Sequence, residues 1–128
     1  MTPDLTFEQR VAQEVGAAGI DAMVAGFYRR VRHDELIGPM YPDDDWEGSE
    51  KWLRLFLRFR LLGEAEYTLR RGHPRLRARH MPFAIGEAER DRWLQLMGEA
   101  MDEVGVSGPA RADLDAFFAQ VADFMRNR

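Results

Sequence analysis

The sequence predicts an all-α fold, because apolar side chains recur at helical spacing through most of its 128 residues. No segment shows the alternation of apolar and polar residues that is typical of a half-buried strand. Glycine, proline and aspartate clusters interrupt the helical pattern at residues 38–45 and 107–109. Since the sequence contains no repeat and no low-complexity linker, residues 1–128 are expected to form one domain.

Two helices are predicted in the first quarter of the chain. Thr6 and Gln9 have the spacing of a capping box, which starts a short helix that Gly16 can end. The apolar positions of the second helix follow the i, i+3, i+4, i+7, i+8, i+11 pattern: Ile20, Met23, Val24, Phe27, Tyr28 and Val31. Tyr28 is therefore expected on the apolar face.

A corner and a third helix are predicted next. Two prolines in residues 38–42 remove backbone donors and restrict the residues before them, so Tyr41 lies in a constrained corner. The aspartates at 43–45 offer N-cap oxygens and negative charge to a helix start. That helix should run from about Trp46 to Leu62. It is apolar over more than half its circumference, so it needs protein on one side and a second apolar body on another.

The remaining chain holds a loop and three further helices. Periodicity fades over residues 63–75, which predicts a loop of about a dozen residues. Pro74 can begin a short helix and Pro82 prevents its extension, so His80 is expected at a helix end. A long helix should start near Glu87. The apolar residues of the last helix are Leu114, Phe117, Phe118, Val121 and Met125.

Composition excludes several kinds of chemistry. The chain has no cysteine, so disulfides, thiolate zinc sites, iron–sulfur clusters and cysteine nucleophiles are excluded. The formal net charge of -4 argues against a dominant interaction with nucleic acid. Residues 1–10 do not have the composition of a secretory signal, and no run approaches the roughly 18 apolar residues of a membrane span. The expected location is the cytoplasm.

A local cluster of arginines departs from the acidic average. Its members are Arg70, Arg71, Arg75, Arg77 and Arg79. No acidic residue occurs between Glu66 and Glu87. The cluster is either a solvated basic face or a site for an anion.

His80 is the candidate metal ligand. With three histidines in the chain, a zinc site would need all of them or would have to recruit carboxylates. A haem iron takes four nitrogens from its porphyrin and needs one histidine from the protein, which leaves a position open for a gas. A lone histidine is more often a hydrogen-bonded core or surface residue than a ligand, so both interpretations stand at this point.

Tyr28, Tyr41 and Trp93 are the candidate hydrogen-bond donors. Tyr28 and Trp93 each lie within an amphipathic stripe, and a buried Tyr O–H or Trp N–H usually has an acceptor. That acceptor is either a backbone carbonyl or, if the three side chains converge, a negatively polarised ligand atom.

Four segments together resemble the truncated haemoglobins, specifically those of group II. They are Phe27-Tyr28, Tyr41-Pro42-Asp43-Asp44-Asp45, the run Arg71-Gly72-His73-Pro74-Arg75-Leu76-Arg77-x-Arg79-His80-x-Pro82-Phe83, and Glu89-Arg90-Asp91-x-Trp93-Leu94. The similarity extends from about Val15 to Met101. The resemblance implies a shortened globin in which two antiparallel helix pairs sandwich haem b, iron protoporphyrin IX.

The resemblance also implies roles for individual residues. His80 would be the proximal iron ligand. Tyr28 would be the distal tyrosine, Tyr41 the corner tyrosine beside it and Trp93 the distal tryptophan. Ser49 stands where many globins carry a gating histidine, which implies a more open side entrance. The residues expected to contact the haem or line its pocket are Phe27, Leu53, Phe56 and Phe83.

The haem propionates would be bound by basic residues and a tyrosine. The resemblance assigns this role to Arg79, with Tyr67 and Arg75. A basic residue that is common on the third helix is replaced here by Trp52, so Lys51 or the arginines near His80 are expected to take its place. Where family members often have two Gly-Gly pairs, this sequence has Gly16-Ala17 and Leu62-Gly63. The expected geometry of these loops changes accordingly.

The implied function is the binding of dioxygen, and of CO and NO, at a histidine-ligated iron. Nitric oxide dioxygenation and peroxide reduction are alternatives, the first of which needs a reductase that this chain does not contain. The protein would be a monomer or a homodimer that binds neither nucleic acid nor membrane. A competing hypothesis is a haem-free helical interaction module whose arginine patch docks an acidic partner or nucleic acid.

Overall fold

A computed structural model describes residues 5–128, and these residues form α-helices and no strand. The helices are α1 (Phe7–Glu14), α2 (Gly16–Val31), α3 (Trp46–Leu62), α4 (Glu66–Arg71), α5 (Leu76–His80), α6 (Glu87–Val104) and α7 (Gly108–Phe124), with a 3-10 turn at Gly38–Met40. The all-α prediction is confirmed. The expectation that residues 1–10 are not a secretory signal falls partly on residues 1–4, which lie outside the described residues.

The first helix begins as the sequence predicts, and Gly16, expected to end it, is the first residue of α2. The Thr6 hydroxyl accepts a hydrogen bond from the Gln9 amide at 3.1 Å, and the Gln9 side chain accepts one from the Thr6 amide at 2.9 Å. This reciprocal capping box satisfies two donors at the start of α1. Gly16 has a φ of +70°, a left-handed conformation that lets α2 start directly after α1 ends.

The corner between α2 and α3 is organised by Asp34. Its carboxylate accepts hydrogen bonds from the amides of Leu36 at 3.1 Å and Ile37 at 2.9 Å, and it pairs with Arg92 of α6 at 2.6 Å. A side chain at Gly38 would place its Cβ 2.7 Å from the Val31 carbonyl oxygen, so the turn requires glycine. These contacts fix the corner that carries Tyr41 against α2 and α6.

The third helix has the predicted bounds. The Asp45 carboxylate caps α3 by accepting from the Gly48 amide at 3.0 Å, and Gly63 ends the helix at a φ of +74°. Leu55, Leu57 and Leu61 of this helix are buried. The helix therefore packs one face into the protein.

The predicted loop at residues 63–75 is wrong in part, because α4 lies inside it. This helix has six residues, fewer than two turns, and buries one side chain, that of Tyr67. So short a helix with one buried position has no detectable periodicity. The following helix, α5, starts after Arg75 and ends at His80, where the sequence predicts its end.

The main hydrophobic cluster is built from α1, α2, α3, α6 and α7, with residues of the connecting segments. Helices α4 and α5 contribute no member to it. Within this cluster α2 approaches α6 closely, since a Cβ on Gly26 would lie 3.0 Å from Glu103 Oε2 and 3.3 Å from Ala100 Cβ. The two helices that carry Tyr28 and Trp93 are thus held side by side.

Across residues 5–128, no helix combines the length and the apolar character needed to cross a membrane.

Candidate functional site

One cavity of about 530 Å³ collects most of the candidate site residues. Its volume lies within the range of ligand and cofactor pockets, about 300–1,000 Å³. The apolar part of its wall consists of Ile37, Met40, Leu53, Phe56, Leu57, Leu76, Phe83, Ile85, Phe117, Phe118, Val121 and Met125. The second apolar body that the surface of α3 requires would fit in this cavity, because Leu53 and Phe56 of α3 face it.

His80 enters the cavity from the end of α5, with its imidazole half-buried. Its Nδ1 lies 2.6 Å from the carbonyl oxygen of Leu76, one turn earlier in the same helix. Because a carbonyl can only accept, Nδ1 carries the proton and Nε2 keeps its lone pair. This is the tautomer that a metal-binding histidine needs, held by a backbone contact of the kind that orients such ligands.

The other two histidines lie elsewhere. His33 and His73 are exposed, and neither lines this cavity. Nδ1 of His73 accepts a hydrogen bond from the Arg75 amide at 3.1 Å. In the described part of the chain, no group of three or more histidine, aspartate or glutamate side chains could hold a metal ion. Among these described residues, His80 is the one histidine at the cavity, which fits a group that brings its own remaining ligands.

Tyr28, Tyr41 and Trp93 meet at the cavity wall. The Tyr28 hydroxyl donates to the carbonyl oxygen of Ser49 at 3.0 Å, so its acceptor in this structure is a backbone carbonyl. The rings of Tyr28 and Tyr41 are 5.8 Å apart and nearly perpendicular. The Trp93 indole N–H lies near enough to the Tyr41 hydroxyl to lower its pKa. The three donors thus lie together within an otherwise apolar wall.

The pKa values of both tyrosines lie above the ordinary value for the phenol. Burial is the main cause of the raised pKa of Tyr28, and the nearby Tyr41 and Glu50 add to it. Burial also raises the pKa of Tyr41, although the neighbouring Trp93 indole N–H acts in the opposite direction. Both side chains therefore keep their protons at neutral pH and remain able to donate hydrogen bonds.

Basic side chains lie in or beside the wall of the cavity. The guanidinium of Arg71 lies 3.8 Å from the centre of the Trp52 ring, and Lys51 Nζ lies 5.1 Å from the same ring. Arg79 also lines the cavity, with its Nε donating to the Pro74 carbonyl at 2.9 Å. Arg90 is a third lining arginine, but it pairs with Asp91 and Asp123, so Arg71 and Arg79 are the guanidiniums that suit an anionic group.

Ten of the residues proposed from the sequence line the cavity. They are Tyr28, Tyr41, Ser49, Leu53, Phe56, Tyr67, Arg79, His80, Phe83 and Trp93. Three others do not. Phe27 is fully buried behind the wall, with its ring 5.0 Å from that of Trp93. Lys51 is half-buried beside Trp52, and Arg75 is exposed with a left-handed backbone at a φ of 47°.

Several lining residues were not predicted from the sequence. Arg71 belongs to the arginine cluster, but nothing in the sequence indicates which arginine faces inward. Four residues of the last helix line the cavity although their periodicity predicts only a buried face: Phe117, Phe118, Val121 and Ala122. An apolar stripe that faces a cavity and one that faces the core have the same sequence pattern.

These features together fit haem. The cavity offers one imidazole with a free Nε2, extended apolar walls and lining arginines, which match an iron ion, a porphyrin and its carboxylates respectively.

Comparisons with known proteins give a consistent family. A model of the bacterial-like globins matches residues 12–127. Group 2 truncated hemoglobin YjbI of Bacillus subtilis is 38% identical over 116 residues, which cover 91% of this chain and 87% of that protein.

Solved structures give the same result. A hemoglobin of the thermophilic phototrophic bacterium Chloroflexus aurantiacus is 41% identical and superposes with a TM-score of 0.87, over 98% of this chain and 100% of that one. A truncated oxygen-avid haemoglobin of Bacillus subtilis is 36% identical, with a TM-score of 0.85, over 91% of this chain and 98% of that one.

Proposed function

Because this chain belongs to the bacterial-like globin family, and within it to the group II truncated haemoglobins, we propose that it holds haem b on His80 and binds dioxygen beside Tyr28, Tyr41 and Trp93. Membership of this family carries the two-over-two helical fold, a haem cofactor and small gaseous ligands such as O2. The haem type, the iron ligand and the hydrogen-bond donors are the proposed part.

The observation that carries the proposal is the hydrogen bond between His80 Nδ1 and the Leu76 carbonyl. It leaves Nε2 as the free nitrogen of a histidine whose ring lines the cavity. When haem is bound, its iron supplies the open coordination position at which a diatomic gas binds. His80 would hold the haem in place through Nε2, and the Leu76 carbonyl would keep the imidazole in the orientation that this requires.

Three donors would act on a ligand in the cavity. The Trp93 N–H lies beside the Tyr41 hydroxyl, and both groups would donate to the ligand. Tyr28 must turn away from the Ser49 carbonyl before it can donate. Hydrogen bonds to a partly charged acceptor in a dry pocket are roughly twice as strong as neutral ones, so these donors should slow ligand release. One relative is described as oxygen-avid, which is consistent with this expectation.

Arginines that line the cavity would bind the haem carboxylates. Arg71 and Arg79 line it, whereas Lys51 and Arg75 do not. The Trp52 ring holds the Arg71 guanidinium by a cation–π contact, which restricts a flexible side chain before it binds. We therefore assign the propionates to Arg71 and Arg79, with Lys51 next to them on the same tryptophan.

Carbon monoxide and nitric oxide are proposed as further ligands of the same site. Nitric oxide dioxygenation and peroxide reduction would use the same pocket, and a reductase partner remains a prediction. Membership of a haem-binding family favours a haem protein over the competing hypothesis of a haem-free docking module. A monomeric or homodimeric state and a cytoplasmic location likewise stay predictions.

The test is the visible absorption spectrum of the purified protein, recorded ferric, then ferrous, then with carbon monoxide. The unmodified protein should show an intense haem band that shifts when carbon monoxide binds. A His80→Gly variant should lose the signature of a histidine-ligated ferrous haem. A His33→Gly variant is the matched control, because this exposed histidine does not line the cavity, and it should retain that signature.

Two results would overturn the proposal. A colourless protein that does not take up added haemin would remove the cofactor. A His80→Gly variant that keeps the histidine signature would remove His80 as the ligand.

A further inference from the structure

The helix that carries His80 has little packing of its own. α5 spans five residues and has no buried side chain. A helix this short is not stable in isolation, and none of its residues belongs to the main hydrophobic cluster. The position of His80 must therefore be maintained by contacts from other parts of the chain.

The C-terminal residues after α7 supply such contacts through Asn127. Its side-chain Oδ1 accepts from the Ile85 amide at 3.0 Å, and its Nδ2 donates to the Phe83 carbonyl at 2.7 Å. Nδ2 also lies 3.5 Å from the carbonyl oxygen of His80 itself, at the limit of a hydrogen bond. The Asn127 amide donates to the Ile85 carbonyl at 2.9 Å. One residue thus contacts the last residue of α5 and two positions in the segment that follows it.

The chemistry of this contact requires an amide side chain. The Phe83 and His80 carbonyls need a donor, whereas the Ile85 amide needs an acceptor. A carboxamide provides both at once, and a carboxylate or a hydroxyl of the same reach does not provide the same set. Asn127 is also the single asparagine of the 128-residue sequence.

A second contact ties the same segment to the end of α7. Arg77, in the middle of α5, donates from Nη1 to the Phe124 carbonyl at 2.9 Å, and its guanidinium lies 5.7 Å from the centre of the Phe124 ring. Residues 124–128 therefore hold α5 through Arg77 and hold the segment after it through Asn127. We call residues 124–128 the C-terminal clasp.

We propose that Asn127 is a positioning residue for His80, which acts by fixing the backbone of residues 80–85 through the C-terminal clasp. The inference rests on the proposed function of His80 as the iron ligand. With that backbone fixed, the imidazole keeps its contact to Leu76 and its Nε2 keeps one direction in the cavity. A loosened segment lets His80 change its angle to the haem and lets the haem leave more easily.

Two variants of Asn127 test the proposal. Asn127→Ala removes all the side-chain contacts. Asn127→Asp has nearly the same shape and retains the acceptor for Ile85, but it places a carboxylate oxygen against the Phe83 carbonyl. Gln120→Glu is the control for added charge, because Gln120 is exposed on the same helix α7.

Three quantities are measured on the purified proteins. They are the rate of haem loss to an excess of a haem-scavenging apoglobin, the iron–histidine stretching frequency in the ferrous state, and the hydrogen-exchange rate of the Ile85 amide. In Asn127→Ala, haem loss should be about tenfold faster, which corresponds to about 1.4 kcal/mol. The iron–histidine frequency should shift, and the Ile85 amide should exchange faster. Asn127→Asp should shift the frequency in the same direction, while Gln120→Glu should match the unmodified protein.

The outcomes separate the positioning role from the function on which it rests. If Ile85 exchanges faster in Asn127→Ala while haem loss and the iron–histidine frequency are unchanged, Asn127 contacts the segment without positioning His80, and the proposal is wrong. It is equally wrong if Ile85 exchange does not change, since the contact itself is then absent. A failure of the proposed function is seen independently, as the absence of a histidine-ligated haem in the unmodified protein.

Discussion

At the scale of single residues, the polar side chains of this cavity already contact groups of the protein. Tyr28 donates to the Ser49 carbonyl, and the Trp93 indole lies beside the Tyr41 hydroxyl. Buried polar groups without partners destabilise a fold, so these contacts let the polar side chains occupy an apolar wall. Under the proposed function, a ligand would gain a hydrogen bond from Tyr28 at the expense of the existing one to Ser49, or would accept the proton of Tyr41.

The first prediction concerns these donors. Replacing Tyr28 and Trp93 together by phenylalanine should raise the oxygen dissociation rate at least about tenfold, since the loss of about 1.4 kcal/mol of ligand stabilisation is a factor of ten. The rate is measured by stopped-flow mixing of the oxygenated protein with an oxygen scavenger. Trp46→Phe is the control, because Trp46 stacks on Tyr41 at 5.5 Å without lining the cavity. A double variant with an unaltered rate would exclude both residues from the role.

The sequence predicts some of these residues better than others. Tyr28 and Trp93 are recognisable because they lie within apolar helical stripes, and His80 because two prolines bound its segment. Asn127 has no such signal, since its partners lie 42 to 47 positions earlier in the chain. Contacts between residues so far apart in sequence depend on how the helices pack, and local sequence patterns do not show that packing.

At the scale of secondary-structure elements, the corner before α3 depends on one carboxylate. The side chain of Asp34 is 5% exposed and joins the 3-10 turn to α6 through Arg92. Burial raises the pKa of this group, but hydrogen bonds from the Ile37 amide and from Arg92 outweigh burial, so that its pKa lies below the ordinary value. The ionised carboxylate is therefore the form that stabilises the fold.

The second prediction is that Asp34→Ala lowers the free energy of unfolding by about 2–3 kcal/mol, because it leaves two backbone amides and Arg92 without their acceptor. Since the pKa of Asp34 is lowered in the folded state, its contribution is present above about pH 4 and is lost as the pH falls further. On acidification from pH 7 to below pH 4, the free energy of unfolding should therefore fall less in the variant than in the unmodified protein.

Urea unfolding at pH 7 and at pH 3 measures both effects. Asp44→Ala is the control, because this aspartate is exposed in the same corner. Equal unfolding midpoints at pH 7 for Asp34→Ala and the unmodified protein would show that the corner does not depend on this carboxylate.

The lengths of the elements explain which of them could be predicted. α3 has 17 residues, an aspartate cap and a glycine end, so several independent signals agree on its bounds. α4 has six residues and one buried side chain, and its stabilisation comes from ring contacts of Tyr67 with Trp52, Phe56 and Phe59. Those contacts are tertiary, so the sequence pattern predicted a loop instead.

At the scale of the whole molecule, the cavity lies beside the main hydrophobic cluster. Some residues, such as Tyr28, Leu57 and Phe118, belong to both. A bound group that fills the cavity is therefore in contact with the core, and its binding energy adds to the stability of the fold.

The third prediction follows from this shared wall. Removal of haem should lower the melting temperature by roughly 10 °C or more, because a ligand present at about 1,000 times its dissociation constant adds about 4 kcal/mol to a domain of this size. Calorimetry of the protein with and without haem measures the difference. His80→Gly should show a smaller gain on addition of haemin than the unmodified protein does. Identical melting temperatures with and without haem would contradict the prediction.

The absence of α4 and α5 from the main hydrophobic cluster has a consequence for the order of assembly. Five helices can bury their apolar faces against one another before the segment with His80 takes its final position. Local opening of that segment breaks few buried contacts, so it requires less free energy than global unfolding. The newly made chain can thus complete its core before it captures its cofactor, and later exchange of a damaged haem can proceed without refolding the protein.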